Sequence, residues 1–187
     1  LNKGKFLSVS VVATPEDDWS IDEVADDFAQ CARWAAECGA DGVEANFSCP
    51  NVSSVDGQLF LNPTDAGIVA AKLREAIPDM PLLLKVGHID NRETAHEFLE
   101  KVAPSADALV MVNGVSARVR WPSGELLFEG RCRGIAGNAI RETALEQLVL
   151  FDGLIREFGL DVTLVGVGGL GKAADVRACL DRGCEAV

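Results

Sequence analysis

The sequence predicts an α/β fold in which a parallel β-sheet is covered by helices. Segments rich in β-branched and apolar residues alternate about five times with segments of helical periodicity. The strand-like segments are continuous apolar runs, which is typical of strands buried on both faces. Two architectures fit, a doubly wound open sheet and a (β/α)8 barrel, and both place ligands at the carboxyl ends of their strands.

The individual elements follow from this alternation. Ser20 is a suitable N-cap for the first helix, Glu23 completes a capping box, and Gly39 is a suitable stop; Thr64 is the predicted cap of the second helix. Residues 114–140 read as irregular, and no linker divides residues 1–187, so one domain is predicted. The predicted strands are 5–13, 42–47, 81–86, 106–113 and 162–167, with a further strand opening at 184; the predicted helices are 20–38, 64–77, 91–103, 141–158 and 172–183.

Composition and charge narrow the class of protein. Hydrophobic residues make up 48% of the 187 residues and charged residues 25%, as expected of a globular chain with a core. The net charge of −12 repels phosphate backbones, so a nucleic-acid partner is not expected. The sequence shows no secretory signal and no apolar run of bilayer-spanning length, so a cytoplasmic protein without a membrane partner is predicted.

The six cysteines predict neither a zinc site nor a disulfide framework. None of them has CxxC spacing, and the chain has two histidines. Cysteines on or beside predicted helices are expected to be small packing residues with reduced thiols. These are Cys31, Cys38, Cys179 and Cys184.

Polar side chains follow the predicted strands at their carboxyl ends. The second strand leads into Asn46, Cys49 and Asn51, the third ends at Lys85, and the fourth ends at Asn113. A cysteine in such a polar stretch can ionise and take a proton, although the usual fate of cysteine is packing. Lys85 reads either as a cation facing a ligand or as a lysine reaching solvent, and Asn113 alone favours an Asn-Gly turn over a heterocycle contact.

Two glycine-bearing segments precede predicted helices. Residues 165–176, "VGVGGLGKAADV", and residues 133–140, "RGIAGNAI", flank consecutive strands and could hold one phosphate between them. The first is not a GxGxxG motif and lacks the acidic residue that a dinucleotide ribose requires, so a mononucleotide phosphate suits it better. Taken alone, the first segment is compatible with a tight βα turn and the second with a loop.

These strand ends, taken in order, resemble those of one enzyme family. "NFSCPN" at 46–51 resembles the signature of dihydroorotate dehydrogenases of the soluble, cysteine-type class, whose membrane counterparts carry serine at the position of Cys49. The resemblance continues in order along the chain. The family segments that come next are similar to "LLLKVG", "ALVMVNGVS", "RGIAGNAI" and the segment from "VTLVGVGG" to the last residue. The resemblance implies a (β/α)8 barrel that binds FMN. It also implies that this chain lacks the first two strands and most of the last, as a fragment of a longer protein would.

The resemblance assigns a role to each strand end. Cys49 would be the base that takes a proton from dihydroorotate, and Lys85 would stabilise the reduced flavin. A pyrimidine substrate would contact Asn46, Asn51 and Asn113. FMN would be held by Lys85, Asn46, Gly134, Gly137, Gly168 and Gly169. A homodimer or an electron-transfer partner subunit would complete the enzyme.

The chain departs from the family pattern at Arg133, Ala136 and Gly114, and two other functions stay open. A dihydropyrimidine dehydrogenase-like domain would share the barrel and FMN, but that family tends to have histidine where this chain has Asn51. A non-redox phosphate-binding barrel would use Lys85 as a base or Schiff-base lysine. A catalytically inactive relative retained for binding is a further alternative.

Overall fold

A computed structural model describes residues 4–16, 18–49 and 58–187. All five predicted strands and all five predicted helices are confirmed, with ends shifted by a few residues. The strands are β1 Ser8–Val11, β2 Gly42–Asn46, β3 Leu82–Val86, β4 Ala108–Met111, β5 Val115–Arg118, β6 Cys132–Ile135 and β7 Thr163–Gly166. The helices are α1 Ile21–Glu37, α2 Pro63–Ala76, α3 Arg92–Val102, α4 Arg141–Phe158 and α5 Ala173–Leu180.

The order of the main sheet distinguishes the two architectures. Its five strands run β1-β2-β3-β4-β7, every neighbouring pair is parallel, and the order in the sheet is the order along the chain. A doubly wound sheet reverses its strand order at a switch point, whereas a barrel adds each strand beside the last. The arrangement is therefore part of a (β/α)8-type barrel. An isolated parallel bridge joins Val165 to Ala186, in the segment where a further strand is predicted to open at residue 184.

The two faces of the sheet differ in character. On β2 and β3, Val43, Ala45, Leu82 and Leu84 are buried beneath the helices. Alternate residues on the same strands point to the opposite face, which is the interior of a barrel. That face carries Glu44, Asn46, Leu83 and Lys85. The carboxylate, amide and ammonium groups are thus displayed on the side away from the helices.

Helix caps explain where two helices begin. Ser20 caps α1, and its side chain and that of Glu23 form the predicted capping box. The prediction that Thr64 caps α2 is wrong, because Asn62 is the N-cap and Pro63 is the first helical residue. Proline favours that position because the missing N–H would have no partner there and the fixed φ suits a helix.

A short antiparallel hairpin replaces the predicted irregular stretch between β4 and α4. Its strands β5 and β6 pair from Val115 with Ile135 to Arg118 with Cys132, and they form a separate two-stranded sheet. None of the described helices is long and apolar enough to cross a membrane.

Candidate functional site

The carboxyl ends of the central strands converge as the sequence predicts. Asn46 at the end of β2 is the register partner of Lys85 on β3. The backbone N–H of Asn113, just beyond β4, donates to the carbonyl of Val86 at 2.9 Å. Residues that are far apart in the sequence therefore form one row across the carboxyl ends of β2, β3 and β4.

A buried phenylalanine fixes the turn that follows β2. The Phe47 ring is fully buried and packs edge-on against Phe28 of α1, with the ring centroids 5.7 Å apart. The N–H and hydroxyl of Ser48 both donate to Asn46 Oδ1, at 3.2 and 2.9 Å. These bonds occupy the carbonyl of the Asn46 amide, and its N–H2 group has no hydrogen-bond partner among the described residues.

Cys49 lies at the far end of this turn. It is half-buried against the edge of the core, as a free thiol. It lines neither of the two depressions described below. Asn51, predicted to bind substrate, lies outside the described residues.

Lys85 on β3 has a carboxylate neighbour, Glu44, on the adjacent strand β2. Its Nζ lies 3.8 Å from Glu44 Oε1, and the two side chains are 22% and 20% exposed. The same carboxylate oxygen accepts a hydrogen bond from Ser10 Oγ on β1 at 3.0 Å. A lysine in this position is thus paired rather than extended into solvent.

Two depressions open near the strand ends, and they differ in what lines them. The larger, about 730 Å³, lies beside β5 and contains His88, Asp65 and Asp90 but no residue predicted to bind substrate or cofactor. The smaller is about 430 Å³, and both volumes fall within the usual range of ligand pockets. The smaller gathers five predicted site residues, Lys85, Asn113, Gly137, Gly168 and Gly169. We take this smaller cleft as the candidate functional site because five of the predicted residues meet there.

The glycine turn after β7 forms one wall of this cleft. Gly168 and Gly169 have φ of +109° and +75°. A Cβ on Gly168 would lie 2.8 Å from the Val112 carbonyl oxygen, and one on Gly169 would lie 2.8 Å from Arg141 Cβ. The N–H groups of both glycines have no acceptor among the described residues. Such backbone donors ahead of a helix are suited to an anion.

The second glycine pair is divided between two elements. Gly137 begins the short 3-10 turn before α4 and lines the cleft. Gly134 lies in β6 opposite Ser116 and is not among the cleft-lining residues. Gly137 therefore remains close to the glycine turn after β7, whereas the role predicted for Gly134 has no support from its position.

Asp175, which the sequence analysis missed, anchors the glycine turn from behind the cleft. Its Oδ2 accepts the N–H groups of Gly171 and Lys172 at 3.0 and 3.1 Å, and Arg141 Nη1 lies 3.4 Å from Oδ1. The pKa of Asp175 is lowered, chiefly by the hydrogen bond from Gly171 and then by the charge of Arg141. One buried carboxylate thus joins the glycine turn to the first residue of α4.

Gln147 is a second missed residue. Its amide is buried, accepts the Ile89 N–H at 2.8 Å and donates to the Gly87 carbonyl at 2.9 Å. It also lies 3.7 Å from Met111 Sδ. A polar residue among apolar ones on the inner face of a helix was the available signal, since buried polar groups require partners.

Potential metal ligands are dispersed. Across residues 4–16, 18–49 and 58–187, no three His, Cys, Asp or Glu side chains come together as metal ligands. The cleft instead offers the Lys85 ammonium, the Asn113 amide and backbone N–H groups, which suit an anionic organic ligand.

Comparison with known proteins shows the family of this chain. A family model described as dihydroorotate dehydrogenase matches residues 7–187. The chain belongs to the dihydroorotate dehydrogenase family. Members of this family are oxidoreductases of pyrimidine biosynthesis.

Individual relatives match most of this chain but about half of their own length. A dihydroorotate dehydrogenase from Dictyostelium discoideum is 28% identical over 191 residues, covering 99% of this chain and 51% of the relative. A dihydroorotate dehydrogenase B (NAD(+)) catalytic subunit from Methanopyrus kandleri is 32% identical over 154 residues, covering 79% and 46%. The chain thus spans about half the length of the relatives it matches.

A solved structure supports the fold. The crystal structure of the Eimeria tenella dihydroorotate dehydrogenase in complex with ferulenol superposes with a TM-score of 0.69, covering 93% of this chain and 50% of that one. The identity is 14%, so the likeness concerns the fold. The parallel strands described above therefore correspond to part of that barrel.

Proposed function

We propose that the full-length protein containing this chain oxidises dihydroorotate to orotate with FMN as cofactor. The observation that carries the proposal is the cleft in which Lys85 and Asn113 meet the glycine turn of Gly168 and Gly169. The Lys85 cation would donate to the edge of a flavin, and the Asn113 amide would donate to a pyrimidine. The unbonded N–H groups of the glycine turn would donate to a phosphate. Family membership makes this reaction the first to test.

The residues present fit a phosphate-bearing flavin. Gly137, Gly168 and Gly169 would hold the phosphate through backbone N–H groups. A Cβ on Gly168 or Gly169 would lie 2.8 Å from Val112 or Arg141, so the backbone approaches the cleft without side chains at these two positions. Lys85 and Asn46, adjacent on β3 and β2, would contact the ring. FMN, when bound, would supply the acceptor for the two electrons and the hydrogen that leave C6 of dihydroorotate.

The residues of the chain would handle the proton and the orientation. Cys49, as its thiolate, would take the proton from C5 of dihydroorotate, so that the C5–H bond breaks as the C5=C6 double bond forms. The free N–H2 group of Asn46 and the amide of Asn113 would donate to the pyrimidine oxygens. Asn51 is proposed for the same purpose from the sequence alone. Fixing a planar ring with several hydrogen bonds lowers the entropic cost of reaching the reactive geometry.

The decisive experiment uses the purified full-length protein. We expect a flavin absorption spectrum and the release of FMN on denaturation. Under anaerobic conditions, dihydroorotate should bleach the flavin while uracil with a nicotinamide donor gives no turnover. A protein that binds no FMN when reconstituted would overturn the proposal, and uracil reduction would instead support a dihydropyrimidine dehydrogenase-like function.

The electron acceptor is proposed from the relatives. Several of them are named as catalytic subunits of dihydroorotate dehydrogenase B (NAD(+)). We infer that a separate electron-transfer subunit serves the protein. The full-length protein alone should then reduce an artificial dye with dihydroorotate but should not reduce NAD+ at a comparable rate; efficient NAD+ reduction by the isolated protein would contradict this.

A further inference from the structure

A chain of polar side chains crosses three neighbouring strands on the barrel-interior face. Ser10 on β1 is the register partner of Glu44 on β2. Lys85 on β3 is the register partner of Asn46, two residues beyond Glu44 on the same face. Lys85 therefore lies one layer nearer the carboxyl ends than Glu44, between that carboxylate and the cleft.

A single carboxylate oxygen connects the three residues. Glu44 Oε1 accepts from Ser10 Oγ at 3.0 Å and lies 3.8 Å from Lys85 Nζ. The Ser10 hydroxyl restrains this oxygen from the side opposite Lys85. Because both charged side chains are about four-fifths buried, solvent screens their attraction less than it would screen a pair on the surface.

We propose that Glu44 is a positioning and charge-tuning residue for Lys85, a role that rests on the proposed function of this cleft. The carboxylate holds the ammonium at the floor of the cleft. It also offsets part of the positive charge that Lys85 presents to a flavin. Glu44 thereby lowers the preference of the site for the reduced, anionic flavin over the oxidised one.

Two substitutions separate position from charge. Glu44→Gln keeps an oxygen that can accept from Ser10 and lie near Lys85 but removes the negative charge. Glu44→Ala removes both the charge and the anchor. Glu157→Gln is the matched control, because Glu157 pairs with Arg92 on the outer helices, away from the sheet interior.

The first measurement requires no flavin. In the apo form of the full-length protein, a limiting amount of acetic anhydride is applied, and the acetylation of Lys85 is compared by mass spectrometry with that of exposed Lys101. Glu44→Gln should acetylate Lys85 about two- to fivefold faster, the range expected when a weak ion pair is lost. Glu157→Gln should leave the ratio unchanged. An unchanged ratio in both Glu44 variants would overturn the pairing.

The second measurement uses the reconstituted protein. Glu44→Gln should shift the midpoint potential of the bound flavin upward while FMN affinity is kept, and Glu44→Ala should weaken FMN binding. A downward shift or no shift in Glu44→Gln would overturn charge tuning. If Lys85 labelling responds but no variant or wild type binds FMN, the proposed function fails while the pairing of Glu44 with Lys85 stands.

Discussion

The side-chain amide of Gln147 is bonded to the backbone of Gly87, with Nε2 donating to the Gly87 carbonyl at 2.9 Å. The Oε1 of the same amide accepts the Ile89 N–H at 2.8 Å. Helix α4 thus fixes the chain immediately beyond the strand that carries Lys85. An interior amide with both ends bonded defines the path of this loop more strictly than apolar packing would.

Replacing Gln147 with methionine should destabilise the fold. Methionine has a similar length but leaves the Gly87 carbonyl and the Ile89 N–H buried without a partner, which costs about 1–3 kcal/mol. Urea unfolding would measure the loss, and hydrogen exchange at the Ile89 amide should speed up selectively. Leu154→Met, on the same helix, should cost less than about 1.5 kcal/mol and leave Ile89 exchange unchanged. Unaltered exchange at Ile89 in the Gln147 variant would contradict the assignment.

Glycine is required at position 169 but not at position 171. A Cβ at Gly169 would face Arg141 Cβ at 2.8 Å in a backbone conformation with φ of +75°, whereas one at Gly171 would meet its nearest atom at 3.9 Å. Gly169→Ala should lose about 1–3 kcal/mol of stability and weaken FMN binding in the full-length protein. Gly171→Ala should preserve both. Equal FMN dissociation constants for the two variants would remove the glycine turn from the binding site.

Asp175→Asn should destabilise the protein in a pH-dependent manner. The folded protein lowers the pKa of Asp175, so its carboxylate stabilises the fold above the pKa of an unfolded aspartate, about 3.9. This contribution is lost as the pH falls through the lower folded value. The urea midpoints of wild type and variant should therefore differ at pH 7 and approach each other toward pH 3. Asp181→Asn, an exposed change at the end of α5, should show no such convergence; parallel curves for Asp175→Asn would contradict the assignment.

Cys49→Ser should reduce the rate without removing the cofactor. A serine hydroxyl is a far weaker base than a thiolate at neutral pH, and loss of a general base typically costs about 10²–10⁴-fold. Dihydroorotate oxidation by the full-length protein should fall by this factor, while the flavin spectrum is retained. Cys38→Ser, at the exposed end of α1, should leave the rate unchanged. Equal activity of the two variants would exclude Cys49 from the proton transfer.

Local patterns in the sequence predicted the helices and the strands of the main sheet. They also predicted that ligands would be met at the carboxyl ends of those strands. The apolar runs predicted every strand of the main sheet because strands buried on both faces need no polar alternation. Ser20 and Glu23 predicted the start of α1 because their hydrogen bonds connect residues three apart. Pro63 was a local signal that Asn62 caps α2, because proline favours the first helical position. The prediction of Thr64 as the cap did not use that signal.

Tertiary structure decided what depends on partners distant in the chain. The β5–β6 hairpin pairs Val115 with Ile135, and its short exposed strands leave no apolar run in the sequence. Glu44, Gln147 and Asp175 acquire their roles from Lys85, Gly87 and Arg141, each on another element. A sequence pattern can show that a polar residue lies on a buried face. Which residue becomes its hydrogen-bond or charge partner depends on how the strands and helices pack. The sequence therefore predicted the strand ends at which the candidate site is proposed, and the packing determined which charges and hydrogen bonds surround it.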